Sequence, residues 1–257
     1  MKLAFISDIH GNLPALEAVL SDIERQQPDD IYCLGDLVNF AGWDREVISL
    51  IRYEGITSIQ GNHDEGIGHD HVNFPYSYNS EAQKEFGRRS AELSIRTLSS
   101  SDKSYLRGLP FMLQMEYRFP FHPCRIALVH GSPISNNDYI RPGTPDEELL
   151  EMLDAAGADI LLMGHTHLPF HRAIYYEGEN HKQYKHILNV GSVGKPKHGE
   201  PAACYVVLEI RRHIDLSEPD SVAVSFRYVP YDVEAVIQHI HACGLGDAYD
   251  TLLRQGQ

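Results

Sequence analysis

Five short apolar runs constrain the fold of this sequence more than any other feature. They are continuous rather than alternating, which is typical of strands that helices bury on both faces. The runs cover residues 3–6, 31–34, 56–59, 126–129 and 160–163. Helical patterns separate some of them, and this alternation of strand and helix predicts a mostly parallel sheet in an α/β fold.

Two helices among these runs have clear sequence signals. The first follows residues 3–6, where leucine, valine and isoleucine side chains repeat on one helical face behind a capping Asn12 and an early Pro14. We predict that the second begins at Thr144, with Glu147 completing a capping box, and ends near Gly157.

Two stretches of the sequence depart from this alternation of strand and helix. The stretch 65–123, called here the excursion, is polar, with a helical pattern over residues 80–98 and a shorter one before Leu109. We expect it to be a helical excursion that forms a wall of the site. After Arg172 the β-rich runs 173–176, 186–190, 203–210 and 222–229 predict a second sheet packed on the first, and Asp232 caps a final helix that ends at Gly244. We expect a single domain over residues 1–257.

Charge and apolar patterning exclude several classes of protein. The 22 basic and 36 acidic residues give a net charge of −14, which argues against a binding groove for long nucleic acids. The apolar start is interrupted at Asp8, and no apolar run is long enough for a membrane span, so we expect a cytoplasmic protein without membrane contact. The four cysteines have no CxxC spacing, which favours buried free thiols.

Each of the five apolar runs ends in a polar segment, and the chain holds 15 histidines. The segments read SDIH at 7–10, GDLV at 35–38, GNHD at 61–64, HG at 130–131 and GHTH at 164–167. Ligands of open α/β sheets bind beyond the carboxyl ends of the strands, so these segments can converge on one crevice. Asp8 and His10 are two positions apart, and so are His165 and His167. In an extended chain, side chains two positions apart lie on the same side, so each pair can chelate an ion.

These segments offer seven candidate metal ligands. Their imidazole, carboxylate and amide groups suit manganese, iron, zinc or nickel and disfavour a structural zinc. Seven ligands are too many for one ion and suit two divalent ions about 3.5–4 Å apart, with a hydroxide between them. A carboxylate can bridge two ions, so the bridge is Asp8 or Asp36, and we favour Asp36. The seven are Asp8, His10, Asp36, Asn62, His130, His165 and His167.

The order DxH, GD, GNHD, H and GHTH resembles the calcineurin-like metallophosphoesterase superfamily, in particular its small bacterial and archaeal phosphodiesterase branch. With the NVGSVG segment at 189–194, the resemblance covers most of the chain. It implies a four-layer α-β-β-α sandwich of two mixed β-sheets. It further implies one ion on Asp8, His10, Asp36 and His167, and a second ion on Asp36, Asn62, His130 and His165.

The resemblance also implies catalytic roles next to the ions. His63 would protonate the leaving oxygen or contact the phosphoryl group, which suits an imidazole whose pKa lies near neutrality. Asn62 and the ions would stabilise the phosphoryl oxygens. The attack would come from the hydroxide that bridges the two ions.

Departures from the superfamily pattern bear on the reaction. In the protein serine/threonine phosphatases and the symmetrical dinucleoside tetraphosphatases, the second motif reads GDxxDRG and an arginine precedes GNH, whereas this chain has Asn39, Phe40 and Gln60. A monoester dianion gains most from such arginines, so their absence favours phosphodiesters of small substrates. Asn39 in place of aspartate leaves the orientation of His63 open.

Two alternatives to a phosphodiesterase are a protein or nucleotide phosphomonoesterase and a non-catalytic scaffold of the same fold. Some relatives, such as a retromer subunit, act as scaffolds after losing the catalytic histidine, which this chain keeps as His63. The partner that we expect is a small phosphate ester, and the sequence leaves the oligomeric state open.

Substrate contacts are less defined in the sequence. Asn12 is a helix cap or a substrate contact, and Gly191 and Ser192 either offer N–H groups to a phosphate or form a tight turn beneath the metals. Five residues lie in loops that either rim the site or are solvated, and we expect solvated positions: His69, His71, Lys195, Lys197 and His198. Tyr76 and Tyr78 either stack on a base or aryl leaving group or pack locally, and we expect local packing. We expect the remaining histidines at the surface or at edges, among them His171, His181, His186, His213, His239 and His241.

Overall fold

The computed structural model describes residues 1–72, 74, 80–118, 123–177, 182–210, 216–220 and 222–257. The expectations for Tyr76, Tyr78, His181 and His213 concern positions outside these residues. In chain order the elements are β1 (Lys2–Ile6), α1 (Leu13–Gln26), β2 (Asp30–Cys33), α2 (Asp44–Tyr53), β3 (Thr57–Ser58), α3 (Asn62–Gly68), α4 (Glu81–Thr97), α5 (Ser100–Gly108), β4 (Met112–Arg118), β5 (Pro123–Val129), α6 (Asp146–Ala155), β6 (Ile160–Met163), β7 (Phe170–Glu177), β8 (Lys182–Asn189), β9 (Ala202–Ile210), β10 (Val222–Pro230), α7 (Val233–Ala242) and α8 (Asp250–Gln255).

The strands form two mixed five-stranded sheets. The first has the order β10-β9-β1-β2-β3, in which β1, β2 and β3 run parallel and β9 pairs antiparallel with β1. The second has the order β4-β5-β6-β8-β7, with β5, β6 and β8 parallel and both edge strands antiparallel.

Alternation along β1 shows how the layers stack. Leu3 and Phe5 pack between the two sheets, together with Leu128 of β5. Ala4 and Ile6 point to the opposite face of the first sheet, where they pack with residues of α1. On the outer face of the second sheet, α6 buries side chains of β5 and β6. The predicted α-β-β-α sandwich of two mixed sheets is therefore confirmed.

The assignment of strands to sheets differs from the sequence prediction in one respect. The five apolar runs do not share a sheet, because the runs 126–129 and 160–163 lie in the second one. Conversely, the late runs 203–210 and 222–229 join the first sheet as β9 and β10. The hydrogen bonds from β9 to β1 join segments that are about 200 residues apart, and no local pattern encodes such pairing.

The excursion is mainly helical, as predicted, and α4 begins after the capping residue Ser80. It also contains β4, an edge strand of the second sheet, which the sequence analysis treated as part of a helical segment. The predicted capping box of α6 was wrong. The cap position is Pro145, because the Thr144 hydroxyl instead accepts the N–H of Arg141 at 3.1 Å.

Membrane spans were also considered. Among the described residues, none of the helices has both the length and the apolar character that crossing a bilayer requires.

Candidate metal centre

The loops that follow β1, β2, β3, β5 and β6 meet at one end of the sandwich. They bring the seven predicted ligands together although the strands belong to two sheets. All seven side chains are buried, and the most accessible of their residues is only 6% exposed. These residues are Asp8, His10, Asp36, Asn62, His130, His165 and His167.

The ligand atoms fall into two groups. Asp8, His10 and His167, called here the His167 cluster, have their donor atoms within 4.8 Å of one another. Within it, Asp8 Oδ1 lies 3.1 Å from His167 Nε2. Asp36, His130 and His165, called the His165 cluster, satisfy the same criterion.

Asp36 lies between the two clusters. Its Oδ2 is 3.3 Å from Nε2 of His130 and 3.7 Å from Nε2 of His10. Asn62 Oδ1 lies 3.0 Å from His130 Nε2, so the amide belongs beside the His165 cluster. This arrangement is compatible with a carboxylate shared by two ions.

Hydrogen bonds to backbone carbonyls orient three of the histidines. Nδ1 of His10 contacts the carbonyl of Asn39 at 3.2 Å, and Nδ1 of His130 contacts that of Leu34 at 2.7 Å. Nδ1 of His167 contacts the Lys195 carbonyl at 2.6 Å. A carbonyl only accepts, so Nδ1 carries the proton in each ring, and Nε2 points to the centre as metal-ligating histidines require.

The donor set fits divalent cations. It combines imidazole nitrogens with carboxylate and amide oxygens and contains no thiolate. His165 Nε2 is buried, and no hydrogen-bond partner for it exists among the described residues. Burying such a nitrogen without a partner costs free energy, which coordination to a metal ion would offset.

Five of the seven candidate ligands have a left-handed backbone. The φ angles are +54° at Asp8, +52° at His10, +56° at Asp36, +65° at His165 and +60° at His167. The prediction that these segments are extended was therefore wrong. Asp8 and His10 nevertheless share a cluster, as predicted, whereas His165 and His167 turn towards different clusters. Such angles cost about 1–3 kcal/mol each, so the surrounding hydrogen bonds must hold them.

Asp64, for which the sequence predicted no role, supplies several of those hydrogen bonds. Its buried carboxylate accepts the N–H groups of Asp36 at 2.8 Å, Leu37 at 2.9 Å and Gly61 at 2.9 Å. The loops after β2 and β3 are thereby tied together. A signal was present, because a carboxylate three residues after the N-cap Gly61 can accept the N–H of that residue, which is one half of a capping box.

Gly61 permits the two loops to approach this closely. A Cβ atom at this position would lie 2.1 Å from Asp36 Oδ1 and 2.3 Å from the Asp36 nitrogen. Any other residue would displace the carboxylate that lies between the two clusters.

Asn39 orients His63. The Ser90 hydroxyl of α4 donates to Asn39 Oδ1, and on that basis we assign the Asn39 amide as the donor to His63 Nδ1, 2.8 Å away. The ring proton then lies on Nε2, which is 3.8 Å from Asp36 Oδ2. Burial and the proximity of His10 hold the pKa of His63 well below its ordinary value, in agreement with a neutral ring.

Comparison with known proteins identifies the family. The model of the calcineurin-like phosphoesterase superfamily domain matches residues 1–213. The chain belongs to this superfamily. A metallophosphoesterase structure from Sphaerobacter thermophilus is 27% identical with a TM-score of 0.71, and the alignment covers 100% of this chain and 99% of that one.

Two further proteins are similar to this chain. An uncharacterised protein of Methanocaldococcus jannaschii is 28% identical over 217 residues, which are 80% of this chain and 82% of that protein. A hypothetical protein of Pyrococcus horikoshii has the same fold, with 20% identity and a TM-score of 0.72 over 100% of this chain and 98% of that one.

A cavity of about 370 Å³ opens beside the ligands. His10, Asp36 and His63 line it from the metal side, and Phe86 and Ser90 of α4 line it from the excursion. The excursion therefore forms a wall of the site, as its position in the sequence predicted.

Gln60 and Phe40, which stand where other branches of the superfamily carry arginines, make local contacts. Gln60 Nε2 donates to the Leu106 carbonyl at 2.8 Å. Phe40 packs against Phe86, with 5.1 Å between ring centroids. Neither side chain offers a charge to a phosphate.

The remaining candidates for substrate contacts form hydrogen bonds within the turn beneath Asp8. They are Asn12, Gly191 and Ser192. Asn12 caps α1 through Ala15 and donates to the Gly194 carbonyl at 2.8 Å. The N–H of Gly191 donates to Asn189 Oδ1, and the Ser192 hydroxyl donates to the Asp8 carbonyl. These bonds stabilise the loop that carries Asp8.

Several histidines outside the site differ from expectation. His186 was expected at the surface but is fully buried, with its Nδ1 3.0 Å from His171 Nε2. His239 stacks on Trp43, with a centroid separation of 3.7 Å. None of these three histidines lines the cavity beside the ligands.

The histidine ligands differ in charge before metal binds. Burial and the His130 charge lower the pKa of His165 to about 3, so this ligand is neutral. Burial also lowers the pKa of His130, but the charge and hydrogen bond of Asp36 outweigh that effect and raise it to about 10. His130 therefore carries a proton at neutral pH that a metal ion must displace.

Manganese binding should therefore release about one proton per chain at pH 7.5, because His130 must be deprotonated to become a ligand. Calorimetric titration in buffers of different ionisation enthalpy measures this number. A heat that does not depend on the buffer would contradict the assignment of a protonated His130. Binding should weaken as the pH falls below neutrality.

Replacing Asp64 by asparagine should lower the free energy of unfolding of the metal-free protein by about 2 kcal/mol or more, since the amide leaves a buried N–H group without an acceptor. Denaturant unfolding in the presence of a chelator measures the change. The matched control is Asp102→Asn, because Asp102 accepts from Ser99 in an exposed capping box. We expect less than about 1 kcal/mol there, and equal losses would contradict the role of Asp64.

Proposed function

We propose that this protein is a metal-dependent phosphodiesterase that acts on small phosphate esters and holds two divalent ions, with manganese as the first choice. The main support for this proposal is the position of Asp36 between two clusters of buried donor atoms. One ion would be held by Asp8, His10, Asp36 and His167, and the other by Asp36, Asn62, His130 and His165.

When bound, such a pair of ions lowers the pKa of water and polarises a phosphoryl group. The chain's own residues would do the rest. The Asn62 amide would contact a phosphoryl oxygen, and the Nε2–H of the neutral His63 ring would donate a hydrogen bond to the leaving oxygen and stabilise the charge that develops there. Asn39 and Ser90 would keep that proton on the side of the ring that faces the site.

The charge of the cavity supports the choice of a diester. No arginine is among the described residues that line it. A monoester dianion gains most from a bidentate guanidinium, whereas a diester carries a single negative charge and needs room for a second organic group. The cavity provides about 370 Å³ beside the ligands for such a group.

Restoring manganese to chelator-treated protein should give a kcat/KM on bis(p-nitrophenyl) phosphate at least about tenfold above that on p-nitrophenyl phosphate. Release of p-nitrophenol measures both reactions. Faster turnover of the monoester would overturn the diesterase choice in favour of a phosphomonoesterase.

Elemental analysis of the same samples should find about two ions per chain. His165→Asn should lose about one ion, because it removes a buried ligand from the His165 cluster. His241→Asn is the matched control, since His241 lies on α7 and pairs with Asp250 at the surface. Wild-type protein that binds no manganese would contradict the proposed centre.

His63→Asn should lower kcat by about 10²-fold or more on a diester with an alkyl leaving group, and much less with p-nitrophenolate, which leaves without a proton. The ratio of the two losses is the measurement. His69→Asn provides a control, because His69 is an exposed histidine at the end of the same helix. Equal losses for both leaving groups would exclude a contact between His63 and the leaving oxygen.

A further inference from the structure

A cluster of three buried aromatic rings adjoins the metal ligands. Phe40 lies 4.9 Å from Tyr249 and 5.1 Å from Phe86 between ring centroids, and Phe86 lies 4.7 Å from Tyr249. The three residues, called here the ring cluster, belong to the loop after β2, to α4 and to the turn before α8. Each is at most 8% exposed, so their faces are not a stacking platform for a ligand.

The ring cluster holds a lysine that the sequence analysis placed in solvent. Nζ of Lys195 lies 4.3 Å from the Phe40 centroid and 4.3 Å from the Tyr249 centroid, and Lys195 lines the cavity. Ring faces attract an ammonium group electrostatically but do not take up its N–H donors. Among the described residues, no carboxylate forms an ion pair with this ammonium.

The backbone of Lys195 fixes the position of the ammonium relative to the metal ligands. The carbonyl of Lys195 accepts the Nδ1–H of His167 at 2.6 Å, and its N–H donates to Ser192 Oγ at 2.8 Å. The residue that orients a ligand of the His167 cluster therefore also places an amino group in the wall of the same cavity, where burial and the proximity of Lys197 hold its pKa well below the ordinary lysine value.

The backbone of Phe40, whose ring contacts the Lys195 ammonium, has an unusual conformation. Its φ angle is +119°, a region that bulky residues rarely adopt. The distortion places the ring of Phe40 beneath Lys195, at a position where other branches of the superfamily carry a phosphate-binding arginine. In this chain Phe40 therefore stands at the position of that arginine, and its ring contacts the ammonium of Lys195 instead.

We propose that the Lys195 ammonium binds a non-bridging phosphate oxygen of the substrate and is the anion-binding side chain of this site. The proposal rests on the proposed function and deepens it. Lysine binds phosphate as a point charge, without the bidentate fork of arginine. In the proposed centre, the Lys195 ammonium would add one positive charge to those of the bound ions on the side of the cavity formed by the ring cluster.

The test compares K195M, K195R and K197M in the manganese-loaded protein, with inorganic phosphate as the calorimetric probe. K195M should weaken phosphate binding by about tenfold or more, because it keeps the aliphatic stem over the rings and removes the charge. K195R should restore binding to within about threefold, since arginine also stacks on aromatic faces. Metal content and thermal melting confirm that each variant is folded and loaded.

K197M is the matched control, because Lys197 lines the same cavity but is exposed and lies over neither Phe40 nor Tyr249. We expect its phosphate affinity to stay within about twofold of wild type, as an exposed, screened charge contributes little. Equal losses in K195M and K197M would show a general charge effect and overturn the proposal, as would wild-type affinity in K195M.

Measurements of turnover distinguish a failure of this proposal from a failure of the proposed function. On bis(p-nitrophenyl) phosphate, K195M should raise KM more than it lowers kcat, because Lys195 contacts a non-reacting oxygen in the ground state as well. If the wild-type protein hydrolyses no ester, the proposed function fails. The calorimetric comparison of K195M with K197M would still decide whether Lys195 binds phosphate.

Discussion

The site depends on one buried carboxylate that does not belong to the donor clusters. Asp64 accepts three backbone N–H groups, two from the loop that carries Asp36 and one from the loop that carries Asn62. Because Asp36 lies between the two clusters, these hydrogen bonds fix the position of the central carboxylate relative to the loop that carries Asn62. Buried N–H groups without an acceptor are costly, so the loops have few other arrangements open to them.

The residues of the site could be predicted from the sequence, whereas their geometry could not. His130 and His165 follow apolar runs directly, and parallel strands bring such residues to the same edge of a fold. The left-handed backbone at both Asp8 and Asp36 left no sequence signal, because neither residue type requires it. Lys195 likewise lies in a loop whose sequence does not specify the rings that hold it.

The fold was predictable to a similar depth. Continuous apolar runs predicted buried strands, and Ser80 and Asp232 correctly predicted the beginnings of α4 and α7. The distribution of strands between the sheets was not predictable, because the pairing of β9 with β1 is not encoded locally. Thr144 had the right residue type for a cap, but a competing turn to Arg141 uses its hydroxyl.

The contact from Ser90 through Asn39 to His63 joins the excursion to the reactive centre. The same helix contributes Phe86 to the ring cluster that supports Lys195. Substitutions in α4 that reshape the cavity for another ester would therefore change both the position of the proton on His63 and the position of the Lys195 ammonium. Under the proposed function, substitutions in α4 that change the substrate range would therefore also change the reaction rate.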